Sequence, residues 1–129
     1  MPRIPVAGLA PFVAALCLSF ALPACAESPP IDCDHAKTAV EKQICSSPAD
    51  VALDREIAAL YDRGLAEFSP NQRHALVESQ RRFLHARAGC AWAMHSAHPG
   101  AALSECLHNT MGARLHALRR AVDSVANAQ

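Results

Sequence analysis

The side chains of this sequence that could do chemistry are four cysteines, a spaced pair of histidines and one aspartate on an otherwise apolar helix face. Cys33, Cys45, Cys90 and Cys106 all follow an apolar leader. An even number in a short exported chain reads as disulfides, with three connectivities open. The two local pairings, Cys33–Cys45 and Cys90–Cys106, would close loops of about 12 to 16 residues and contribute about 3 kcal/mol each on a chain-entropy account. Zinc is the competing chemistry, but it favours closely spaced thiolates and no Cys-x-x-Cys occurs. His95 and His98 form His-x-x-His, a spacing at which two imidazoles can share a transition metal. No third ligand stands near them apart from the cysteines, so exposed loop histidines are expected, with no metal and no cofactor. His108 and His116 fall on the polar side of the last helix, and His35, His74 and His85 share no spacing.

Asp54 could serve as an acid or base in a cleft. That role needs a second catalytic group, and none stands at a convincing spacing. Gly-x-Ser-x-Gly, a phosphate loop, a dinucleotide fingerprint and His-Glu-x-x-His are all missing from the sequence. The chain is therefore expected not to be an enzyme. The economical reading of Asp54 is structural: it faces Arg87 or Arg114, with Gln80 bridging, because an uncompensated buried charge costs several kcal/mol.

These residues sit in a chain of 129 residues, enough for one compact domain. Twelve basic residues balance twelve acidic ones, which argues against a general polyanion binder. Aromatics make up 5%, too few for base- or sugar-stacking platforms. Residues 1–26 read as a secretory signal: Arg3 opens it, an apolar run follows, and Ala24-Cys25-Ala26 forms a small-x-small site that would leave Glu27 first. The competing reading is a lipoprotein acylated on Cys25, which would tether the chain to a membrane. Residues 27–129 then form the mature domain, periplasmic or secreted.

Period-two alternation is missing and β-branched residues are few, so the domain is expected to be all-α: three long helices plus a short N-terminal one, clipped by disulfides. Thr38-Ala39-Val40-Glu41 is a capping box. Ser47-Pro48 and Ser69-Pro70 each put a cap residue before a proline at the first helical position. The predicted helices are 39–45, 48–67, 70–88 and 102–125, with His98-Pro99-Gly100 breaking the chain before the last. At 100° per residue, Leu53, Ile57, Leu60, Tyr61 and Phe68 form one apolar stripe, flanked by Asp54. Leu76, Val77, Phe83 and Leu84 form the next, with Gln80 and Arg87 inside it. Leu103, Leu107, Met111, Leu115, Leu118, Val122 and Val125 form the third, with Arg114 among them.

Charge is unevenly placed. Residues 27–68 hold nine acids and four bases, whereas 69–129 hold three acids and seven bases. Antiparallel helices whose charges attract explain this simply. A sharper reading makes the acidic half a surface for a cationic partner, with Glu56, Asp62 and Glu67 on the solvent side of the second helix.

Cys33, then Glu41-Lys42-x-Ile44-Cys45, then Leu53-Asp54-x-x-Ile57-x-x-x-Tyr61 resembles the opening of the lysozyme inhibitor LprI-like family. Gln80-Arg81-x-Phe83-Leu84-x-x-Arg87-x-x-Cys90 is similar to its second block, and Cys106 with Arg114-Leu115-x-x-Leu118 to its closing helix. The resemblance spans about residues 31–120. Phe83 stands where the family usually has tryptophan, and Ala88 where an aspartate often follows the arginine. The resemblance implies a small disulfide-bonded helical protein of the bacterial envelope, and the two local cysteine pairs match its blocks. It also implies a lysozyme, commonly a cationic enzyme, as partner, blocked by protein–protein binding. Many relatives have no established activity, so a structural or stress-related envelope module is the alternative. The loop at 95–101 and the acidic face of the second helix are the expected contact elements, and no nucleic acid is expected.

Overall fold

The computed structural model describes residues 28–128. Residues 1–26, which read as a secretory signal, lie outside the described residues, and so does the choice between cleavage before Glu27 and acylation of Cys25. Four α-helices follow one another: α1 Ala39–Cys45, α2 Pro48–Glu67, α3 Pro70–Gly89 and α4 Pro99–Ala126. Short 3-10 turns occupy Cys33–His35 and Cys90–His95, and no strand occurs among the described residues.

Local side-chain chemistry sets the helix starts. The Thr38 hydroxyl accepts from the Glu41 amide at 3.1 Å, while the Glu41 carboxylate accepts from the Thr38 and Lys37 amides at 2.9 and 2.8 Å. Ser47 and Ser69 cap α2 and α3, each followed by proline where no amide donor is needed. The start of α4 differs from expectation. It begins at Pro99 rather than residue 102, with His98 as N-cap making no side-chain bond. The reason is the one that holds at Pro48 and Pro70: proline preset at the first helical position starts a helix instead of breaking the chain. The 95–101 region is correspondingly not a loop. It is divided between the Cys90–His95 turn and the first turn of α4, which leaves Ser96–His98 as the connection.

α4 is the longest element, and α2 packs along it while α1, α3 and the Cys90–His95 turn close around it. Ile44, Ile57, Tyr61, Leu107, Met111, Leu118 and Val122 are fully buried between them. Leu53, Leu60, Leu84, Leu115 and Val125 pack against this core but stay half-buried, and Val77 is half-buried outside it. The small residues Ala58 and Gly64 are buried instead. A Cβ at Gly64 would stand 2.7 Å from Leu76 Cδ2, so glycine permits the close approach of α2 and α3.

Cys33 pairs with Cys45 and Cys90 with Cys106, at Cα separations of 5.5 and 5.7 Å. The first clips the N-terminal turn to the end of α1. The second clips the Cys90–His95 turn to α4. Two such bonds mean an oxidising compartment outside the cytoplasm. No helix among the described residues is long and apolar enough to cross a membrane.

Candidate functional site

The polar residues on the apolar stripes meet at the core as two arms that share one aromatic ring. Asp54 is 4% exposed. Its Oδ1 accepts from Arg87 Nη1 at 2.6 Å, and its Oδ2 accepts from the Ile31 amide at 2.7 Å. Arg114 is 9% exposed. Its Nε and Nη2 both donate to Gln80 Oε1, at 2.9 and 2.7 Å, and its Nη1 donates to the Ser79 hydroxyl at 3.0 Å. Gln80 Nε2 donates to the Ser28 hydroxyl at 2.9 Å. The two guanidinium carbons stand 5.4 and 5.8 Å from the Phe83 ring centroid. Phe83 thus keeps the aromatic of the core and gives both cations a π face.

Asp54, Gln80, Arg87 and Arg114 are therefore brought together, but not as one chain with Gln80 in the middle. Asp54 pairs with Arg87, and Gln80 serves Arg114 alone. Sequence periodicity placed all four on buried faces. It could not supply Ser28, Ile31 and Ser79, because those contacts span long sequence separations or arise on a face of mixed polarity. Burial pushes the Arg114 guanidinium below its ordinary value and the nearby Arg82 charge adds to this, while Tyr61 works against it. No carboxylate partners Arg114 among the described residues.

The exposed acids are arranged differently from a free acidic face. Glu56, Asp62 and Glu67 do lie on the solvent side of α2. Glu56 Oε1 accepts from Arg119 of α4, at 3.0 Å from Nε and 2.5 Å from Nη2. Glu67 Oε1 accepts from Arg63 Nε at 2.9 Å, a bond that raises the Arg63 pKa. Asp62 makes no ion pair among the described residues. The charge asymmetry read from the sequence is thus partly spent on cross-helix and same-helix pairing, which leaves a weaker field for any partner.

His95 and His98 are both exposed, and no group of three metal-ligating side chains occurs among the described residues. His108 and His116 are exposed on α4. His35 Nδ1 lies 2.6 Å from Asp32 Oδ2, and this bond holds the Asp32 carboxyl below its usual range. The Cys90–His95 turn carries a feature that periodicity missed. Trp92 is 68% and Met94 45% exposed on a segment anchored by the buried Cys90. The signal was available as the single tryptophan of an aromatic-poor chain, placed between two paired cysteines.

Fold and site together define a small all-helical domain, held by two disulfides and a buried two-armed polar spine. No family model, no curated protein and no solved structure matches the chain.

Proposed function

We propose that this chain is an exported envelope protein, periplasmic or secreted, that binds a lysozyme-class peptidoglycan hydrolase and blocks it without catalysis of its own. Support comes from one observation. The residues that carry the LprI-like resemblance are the ones that build the spine and its staples: Asp54, Gln80, Phe83, Arg87 and Arg114, with all four cysteines. A lipid tether through Cys25 is compatible with the same role. On this reading the contact is made by the Trp92–Met94 knuckle rather than by a loop at 95–101, because exposed aromatic anchors on rigid supports dominate protein interfaces. The residual acidity of α2, centred on Asp62, steers the approach of a cationic enzyme.

The alternative, a structural or stress-related envelope module, gains from the pairing of Glu56 with Arg119 and Glu67 with Arg63. A hydrolysis assay with purified, oxidised protein and a cationic lysozyme separates the two. Stoichiometric inhibition is expected. Trp92→Ala should speed dissociation about tenfold, as loss of an anchor does. The triple variant Glu56→Gln, Asp62→Asn, Glu67→Gln should slow association and flatten its salt dependence. Full hydrolysis at saturating protein, with no complex in sedimentation, would overturn the inhibitor reading for that lysozyme.

A further inference from the structure

Between the N-terminal half of α3 and the C-terminal half of α4 runs an open groove of about 320 Å³, at the lower end of the range of small-molecule sites. It follows α3 from Gln72 to Ser79 and α4 from Val125 back to Arg114. At 1.5 Å per residue this is roughly 10 to 16 Å long. Its floor is Leu76 and Leu118, and Ala75, Ala117 and Ala121 leave space where longer side chains would have filled it. The walls are apolar for most of the length, and the Arg114 guanidinium stands at one end beside Ser79.

We propose that this groove binds a single-chain fatty acid, its tail along Leu76, Ala117, Leu118 and Ala121 and its carboxylate on Arg114. The charge of Arg114 is what selects this occupant. Arg87 has the Asp54 carboxylate, whereas Arg114, among the described residues, has the Gln80 amide oxygen, the Ser79 hydroxyl and the Phe83 ring. Among the described residues, the ionisable groups that act on it are Tyr61 and the like-charged Arg82. Among the described residues three of the five guanidinium N–H groups have acceptors, which leaves one each on Nη1 and Nη2. A carboxylate can accept both and compensates the buried charge. An apolar helix laid in the groove would cover the alanines and leave the cation as it is. A second copy of the chain, docking through the same face, would bring a second Arg114 to the interface. The proposal is independent of lysozyme binding and stands or falls separately from it.

Titration of the purified, oxidised protein with laurate below its micelle concentration, followed by amide NMR and calorimetry, tests it. Laurate should bind with micromolar affinity and shift the amides of Ala75, Ala117 and Ala121. Dodecanol, with the same tail and no charge, should bind at least tenfold more weakly, and acetate should leave the groove amides unmoved. Ala121→Phe fills the groove and leaves Arg114 intact, and should cost at least tenfold in laurate affinity. Gln80→Glu gives Arg114 a carboxylate of its own and should abolish the preference for laurate over dodecanol. Equal affinity for laurate and dodecanol, unchanged laurate binding by Ala121→Phe, or a dimer in sedimentation that protects the groove amides would each overturn the proposal.

Discussion

Two arginines, Arg114 buried and Arg87 half-buried, stand over the same phenylalanine, and they are balanced by different means. Arg87 belongs to a region rich in carboxylates: Asp54 bonds it directly, and Glu41 of the α1 capping box lies close enough to feel its charge. Arg114, among the described residues, is held by neutral acceptors, an amide oxygen and a hydroxyl, with no carboxylate partner. Both satisfy hydrogen bonds, but only one satisfies charge. Hydrogen-bond geometry and charge balance are separate requirements of a buried ion. The first arm reads as a structural lock and the second as a cation held ready for something outside the chain.

The largest consequence concerns removal of each cation. Arg87→Met leaves the Asp54 carboxylate buried and unpaired, with only the Ile31 amide for compensation, and should cost about 3 kcal/mol. Arg114→Met leaves only neutral acceptors behind and should cost about 1 kcal/mol. Arg82→Ala, at an exposed position, should stay within about 0.5 kcal/mol. Urea unfolding of the three variants gives the order directly. Equal losses for Arg87→Met and Arg114→Met would break the distinction between the arms.

Much of this arrangement was legible in the sequence because it is local. The capping residues Thr38, Ser47 and Ser69 fix helix starts within a few residues, and α1 and α2 begin and end where their patterns place them. The cysteine pairs are also short-range. Asp54, Gln80, Arg87 and Arg114 stood out as polar residues at core positions. What they bond to did not, because hydrogen bonds such as Gln80 to Ser28 and Ile31 to Asp54 join segments 52 and 23 residues apart. No period reports such contacts. The start of α4 was missed for another reason: Pro99 next to Gly100 has the signature of a break, and only the following run decides whether it is one. Buried Ala58 and Gly64 were invisible because small residues carry little hydropathy, although Gly64 governs how closely α2 and α3 approach.

A reciprocal exchange of charge sharpens the comparison at smaller amplitude. Asp54→Asn keeps the shape and one acceptor but removes the counter-ion of Arg87, and should destabilise by about 2 kcal/mol. Gln80→Glu adds a counter-ion for Arg114 at nearly the same volume. It gives up the Nε2 bond to Ser28 but turns two cation–amide bonds into cation–carboxylate ones, for a net gain of about 1 kcal/mol at neutral pH. Opposite signs from thermal unfolding are the expected outcome. Destabilisation by both would mean that Arg114 is already balanced where it lies.

The smallest effect is a titration, and it distinguishes the arms without unfolding the protein. The Glu41 carboxyl is held below its ordinary value of 4.5, first by the Thr38 amide, then by that of Lys37, with Arg87 adding a weaker attraction. A depressed folded value means that the unfolded chain binds the proton more readily. The stability Glu41 contributes is therefore complete above about pH 4.5 and is lost as pH falls through the lower folded value. Glu41→Gln retains an acceptor for the cap and should flatten this acid limb while changing little at neutral pH. Carboxyl-carbon NMR then reads the arms apart. Arg87→Met should move the Glu41 titration back toward its ordinary value, because one attracting charge has gone. Arg114→Met, whose neighbours are Tyr61 and Arg82, should leave it in place. A shift of the same size in both variants would mean that the two cations share one field across Phe83, and the division of the spine into a compensated and an uncompensated arm would fail.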